Sequence, residues 1–251
     1  MSDAESANLL IGIHSVDSAL TRTPDKVLRV LVAAECRNPR VQQLAERARA
    51  EGVTVATEAR AVLDRMSAEQ RHQDILAEFI AANIGTEKDL DSLLDSAGSE
   101  PLVLVLDGVQ DPHNLGACLR TAEAAGVNLV ILPKDRSASL TPVARRSASG
   151  AAEVLPILFV PNIARILRRL KERGIWLAGT TDKAGQSLYD ADLSGPVGLV
   201  MGSEGKGMRR LTAELCDFHL RIPMQGSISS LNVSVATAVC LYEIVRQRQP
   251  E

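Results

Sequence analysis

From Pro101 onward the chain alternates apolar strand-like runs with helical stretches, and nothing else in it limits the fold as much. LVLVLDGV (102–109) is apolar but for Asp107 and Gly108 at its end, the pattern of a strand covered on both faces. Residues 115–125 read as a helix closed by Gly126, and VNLVILP (127–133) is the next strand. VLPILFV (154–160), a helix over 162–173, IWLAGT (175–180) and GLVMG (198–202) continue the series. A helix over 208–216, a strand over 218–222 and an apolar helix from Leu231 to Arg248 complete it. Such alternation predicts an α/β domain with a largely parallel sheet over 100–249. Trp176, inside one of the apolar runs, is expected in its core.

The first part of the chain reads as a smaller α/β unit over 8–81. VLRVLVAAE (27–35), VTVAT (53–57) and ILAEFIA (75–81) are strand-like. Residues 39–51 set Val41, Leu44, Ala45 and Ala48 on one helical face. Residues 82–99 are acidic and end in Gly-Ser, which predicts a linker between two domains, with Leu90, Leu93 and Leu94 suggesting one docked helical turn.

Only 2% of the 251 residues are aromatic, so the core must be aliphatic, and rows of stacking rings for single-stranded nucleic acid are excluded. Net charge is −3, which rules out a global field attracting polyanions. Residues 1–80 hold 10 Lys and Arg against 12 Asp and Glu, whereas 99–251 hold 17 against 15. Any grip on a polyanion therefore belongs mainly to local patches in the C-terminal part. The four cysteines form no CxxC pair and no His stands at ligand spacing, so a metal site is not expected and the thiols read as buried packing groups. No run approaches a membrane span, and the polar, acidic start lacks a basic-then-apolar signal. The cytoplasm is the expected compartment.

Ligands of open parallel sheets sit beyond the carboxyl ends of the strands, and three strand ends here are rich in polar and glycine residues. DGVQDPHNLGACLR (107–120) offers Asn114 and Arg120. MGSEGKGM (201–208) sets three glycines around Glu204 and Lys206, without the GxxxxGK[ST] spacing of a nucleoside-triphosphate loop. IPMQGSISSLNVSVA (222–236) runs from a strand through a Gly-Ser loop into a helix, placing Ser229, Ser230 and Asn232 at the helix start. Each alone is explained equally well as a turn or a cap. Three at successive strand ends point to a site.

Together these segments resemble the three signature motifs of the SpoU/TrmH family, S-adenosylmethionine-dependent RNA ribose 2′-O-methyltransferases of the SPOUT superfamily. The resemblance covers 101–248. The N-terminal unit, with IGIHSVDSAL (11–20) and HQDILAEF (72–79), is similar to the small L30e-like RNA-binding domain of longer members. PKDRSASLTPVARRSASGAAE (133–153) resembles members that methylate a guanosine ribose in 23S rRNA. The resemblance implies a deep trefoil knot in the C-terminal domain and a homodimer with the last helix in the interface. It implies S-adenosylmethionine held near Thr180, Gly202, Ile222 and Leu231. It assigns Asn114, Arg120, Glu204, Ser230 and Asn232 to catalysis and substrate. A tRNA ribose methyltransferase and an inactive ribosome-assembly RNA-binding protein are the alternatives. One departure stands out: Asp74 follows His-Gln where the family usually has glycine.

Overall fold

The structure is a computed structural model that describes residues 7–80 and 84–249. It divides into two compact units, one taking in residues up to 82 together with Ser149–Val154, the other comprising Asn83–Ala148 and Leu155–Glu251.

The first unit runs β1 (Ala7–Ile11), α1 (Ile13–Arg22), β2 (Val27–Ala33), α2 (Pro39–Ala50), β3 (Thr54–Glu58), α3 (Arg60–Met66) and β4 (Ile75–Ile80). Its sheet has the order β1-β4-β2-β3, with β4 antiparallel to both neighbours and β2 parallel to β3. The expected apolar face of α2 is buried, with Val41, Leu44, Ala45 and Ala48 packed toward the sheet. Buried His72 holds the turn into β4. Its Nε2 lies 2.8 Å from Asp64 Oδ1, while its Nδ1 accepts the Asp74 amide at 3.1 Å. Asp74 has φ +64°, a left-handed conformation that suits glycine and strains most other residues. This gives the physical meaning of the departure noted in the sequence: the turn keeps the backbone that a glycine would adopt freely.

The second unit begins with β5 (Ile84–Gly85) and α4 (Leu90–Ser96). These residues lie within the stretch read from sequence as a linker; of the rest, 82 and 83 lie outside the described residues. β5 and α4 are built into the second unit. β5 pairs with β8, and Leu90 and Leu94 are buried in the core because three leucines in an acidic stretch form one apolar helical stripe. There follow β6 (Leu102–Asp107), α5 (Pro112–Ala124), β7 (Leu129–Pro133), α6 (Pro142–Ala148), α7 (Ala151–Val154), β8 (Ile157–Val160) and α8 (Ile163–Glu172). β9 (Trp176–Thr180), β10 (Gln186–Ser187), β11 (Val197–Gly202), α9 (Arg210–Leu215), β12 (Phe218–Arg221) and α10 (Val233–Arg248) complete the chain. The α7 segment belongs to the first unit, where Val154 packs on the core around Leu10, Val30 and Phe79. Gly150 (φ +93°) permits that excursion, since a Cβ there would stand 3.0 Å from Ser15 Cα.

The eight-stranded sheet has the order β10-β12-β9-β11-β6-β7-β8-β5, and every pairing is parallel. The carboxyl ends of all strands therefore share one edge. All six residues of central β6 are buried, and a buried Leu or Val side chain contributes roughly 1.5–3 kcal/mol. Trp176 departs from expectation: it is 59% exposed. It is the first residue of β9, at the amino edge of the sheet, while Leu177, Ala178 and Gly179 behind it are buried. Apolar runs mark a strand without marking where helix cover ends. No helix among the described residues is long and apolar enough to cross a membrane.

Candidate active site

Three loops leave the carboxyl edge at β6, β11 and β12, and they converge. After β6, Asp111 caps α5 by accepting the His113 amide at 2.9 Å, and Pro112 occupies the first turn. This sets Asn114 on the first turn of α5, with Arg120 exposed about 9 Å further along the helix. After β11, Ser203 and Gly207 close a tight loop through reciprocal backbone hydrogen bonds of 3.0 and 2.9 Å. Gly202 is indispensable to it, because a Cβ there would lie 2.2 Å from Gly207 C and Met208 N. The loop carries Glu204 outward. Glu204 is not a helix-start carboxylate, since α9 begins only at Arg210.

After β12 the chain stays irregular until Asn232, which caps α10 by accepting the Ser234 amide at 2.9 Å. The helix therefore starts at Val233, two residues after the start expected from the apolar pattern, because the cap and not hydrophobicity sets the first turn. Ser234 Oγ also donates to Asn232 Oδ1 at 2.6 Å. With its oxygen engaged, Asn232 directs its NH₂ group to Asn114 Oδ1 at 3.1 Å and Glu204 Oε1 at 3.3 Å. Asn114 Nδ2 donates to the same Glu204 oxygen. One residue from each strand-end motif thus meets in a single hydrogen-bonded triangle.

Beside the triangle lies a cavity of about 220 Å³. Thr180, Gly202, Ile222 and Leu231, the four expected cofactor residues, all line it. Glu204 and Ser230 line it as well. Arg120, Asn114 and Asn232 stand outside the cavity wall. The donor set suits S-adenosylmethionine. Leu220, Ile222, Met224 and Leu231 offer apolar surface to an adenine, and Asp182 and Glu204 bring carboxylates to a cationic ligand. The absent side chain of Gly202 leaves the strand end open to close approach.

Sequence reasoning missed Asp107, Asp182, Met224 and Ser234. Asp107 ends β6 with its side chain fully buried. Its Oδ2 accepts the Arg209 amide at 2.9 Å, and its Oδ1 lies 3.5 Å from the Arg209 guanidinium. The contact ties the far end of the Glu204 loop to the strand that launches α5. The only sequence signal was a charged residue closing an apolar run. Of the paired arginines in 133–153, Arg145 is half-buried with its Nε donating to Leu140 O, and Arg146 is exposed.

Three thiols are buried, and burial pushes them up from the usual 9.0, Cys118 to about 11 and Cys216 and Cys240 to about 12. They are neutral packing groups at physiological pH. Among the described residues no group of three or more His, Cys, Asp or Glu is placed to hold a metal ion.

Residues 101–242 match the SpoU rRNA methylase family, and residues 9–84 match the RNA 2′-O ribose methyltransferase substrate-binding domain. A 23S rRNA (guanosine-2′-O-)-methyltransferase RlmB from Pseudomonas aeruginosa is 52% identical over 239 residues, covering 95% of this chain and 96% of that one. The protein of the same name from Haemophilus influenzae is 50% identical over 240 residues, covering 95% and 97%. Among solved structures, an RNA 2′-O ribose methyltransferase superposes with TM-score 0.74 at 30% identity, covering 98% of this chain and 90% of that one. The SpoU methyltransferase AviRb from Streptomyces viridochromogenes, in complex with AdoMet, superposes with TM-score 0.73 at 26% identity, covering 96% and 90%. With the three motifs joined at one strand edge and the family match spanning more than half its length, the chain belongs to the SpoU rRNA methylase family.

Proposed function

We propose that the chain transfers a methyl group from S-adenosylmethionine to the ribose 2′-hydroxyl of a guanosine in 23S rRNA. The observation that carries this reading is the Asn114–Glu204–Asn232 triangle at the mouth of the cavity. When bound, the cofactor supplies the electrophilic methyl group, and the protein supplies alignment and charge. Thr180, Gly202, Ile222 and Leu231 hold it. The triangle and Ser230 orient the ribose. The Arg120 guanidinium stabilises charge developing on the 2′-oxygen and the neighbouring phosphate.

Relatives named for 23S rRNA align over nearly the whole chain, including the first unit, which favours rRNA over tRNA. We assign to the first unit an L30e-like role in holding that RNA. To the second we assign a deep trefoil knot and a homodimer through α10. Leu231, Val235 and Tyr242 are 37%, 48% and 52% exposed, an apolar face that a second copy would cover. An rRNA substrate makes the cytoplasm the working compartment. Transfer of tritium from labelled cofactor to 23S rRNA tests the reading; label in tRNA alone, or in no RNA, overturns it.

A further inference from the structure

A second cleft, of about 520 Å³, opens on the carboxyl edge of the same sheet, at the ends of β7 and β8. It is lined by Lys88, Lys134, Arg165 and Arg169, with Glu87 the one acid in its wall, and by the half-buried ring of Phe159. Arg165 and Arg169 are engaged with Glu87, and Arg169 also with Asp91 at 2.7 Å. Lys88 and Lys134 are exposed and have no ion pair among the described residues. The pairs fix the wall, and the two lysines are the cations in it that no ion pair holds, with Asp89 beside Lys88.

One segment of chain links the rim of the cleft to the loop that leads into the candidate active site. Lys134 N donates to Val160 O at 2.9 Å, and four residues later Ala138 N donates to Val109 O at 2.7 Å, in the loop that leads into α5. The short segment between them, with exposed Arg136, spans from the cleft to the Asn114 loop. Strands in a sheet are about 4.8 Å apart, so β8 lies roughly 10 Å from β6, within reach of nucleotides flanking the one in the site.

We propose that this cleft holds the single-stranded RNA flanking the methylated nucleotide, with Lys88 and Lys134 on its phosphates and an unstacked base against Phe159. The proposal rests on RNA being the substrate. Phosphate contacts set the position and register of the strand, and an aromatic face accepts any base.

The test compares wild type with Lys88→Gln/Lys134→Gln and Phe159→Leu, using a 23S rRNA fragment for turnover and a labelled single-stranded RNA oligonucleotide for binding. The double variant is expected to raise KM for the rRNA fragment about tenfold, with cofactor affinity within about twofold of wild type. It should also lower the salt slope of RNA binding by about 1.4, the share of two phosphate contacts on a single strand. Phe159→Leu should weaken RNA binding about fivefold without changing that slope. Lys88→Arg/Lys134→Arg should restore KM. If wild type methylates the fragment and the Gln double variant keeps its KM and salt slope, the cleft proposal is wrong. If wild type labels no RNA, the substrate reading fails instead, and unaltered oligonucleotide binding by the double variant then overturns the cleft as well.

Discussion

At the scale of single residues, the site depends on amides that are held before any substrate arrives. Asn232 spends its oxygen on the cap of α10, so its NH₂ group has no freedom to turn away from Glu204 and Asn114. Replacing Asn232 by Ala removes a cap and a catalytic-site donor together. It should lower the unfolding free energy by about 1 kcal/mol. It should also slow methyl transfer by roughly 10²-fold or more. Denaturant titration and a methyl-transfer assay separate the two effects. Arg120→Ala is expected to reduce turnover by about 10²–10³-fold while calorimetry finds cofactor affinity within about twofold, because Arg120 stands outside the cavity wall. Unchanged turnover would remove Arg120 from the mechanism. Asn114, Glu204, Ser230 and Asn232 stand in the three strand-end motifs, so that they lie near the cavity was expected from sequence; their roles come from the family resemblance and remain a proposal. Asp107 was not: a charged residue closing an apolar run does not say that its partner is the backbone of Arg209.

At the scale of elements, alternation marks the strands well because a strand buried on both faces needs an unbroken apolar run, as in β6. It fails where burial is partial. β5 hides in an acidic stretch where only the leucines of α4 signal a docked turn, and Trp176 stands exposed inside an apolar run. The element of most consequence is the Ser203–Gly207 loop, closed on itself and pinned to β6 through Asp107. Gly202→Ala forces Cβ into the backbone of Gly207 and Met208, so the loop must shift. Cofactor affinity should fall at least tenfold, measured by calorimetry, and a normal affinity would show that the loop does not shape the cavity. Asp107→Ala leaves the Arg209 amide without its acceptor and should cost about 1–3 kcal/mol of stability in denaturant unfolding.

At the scale of the whole molecule, the long parallel sheet of the second unit places the carboxyl ends of its strands on one edge, which is why residues 90 and 118 positions apart in sequence meet. Sequence supports the α/β class and two units, but the assignment of Ser149–Val154 to the first unit depends on contacts across the chain that no local pattern carries. The buried thiols give the fold a pH dependence. Folded Cys118, Cys216 and Cys240 stay neutral to about 11, 12 and 12, while unfolded thiols ionise near 9.0. Their contribution to stability is therefore complete below pH 9 and is lost as pH rises from 9 toward 11–12. The thermal midpoint should fall over that range, less steeply in Cys118→Ala. At pH 8 a thiol reagent should label Cys36 first in the native protein and all four thiols after denaturation.

The triangle of Asn114, Glu204 and Asn232 beside the cavity is proposed as a ribose methyltransferase site for rRNA. The most direct measurement incubates the full chain with tritiated S-adenosylmethionine and unmodified 23S rRNA, then maps ribose methylation by resistance to alkaline cleavage. The account predicts label at a single guanosine, stable to base, and reduced at least 10²-fold by Asn114→Ala. Label on a base atom, label confined to tRNA, or full activity in Asn114→Ala would contradict it.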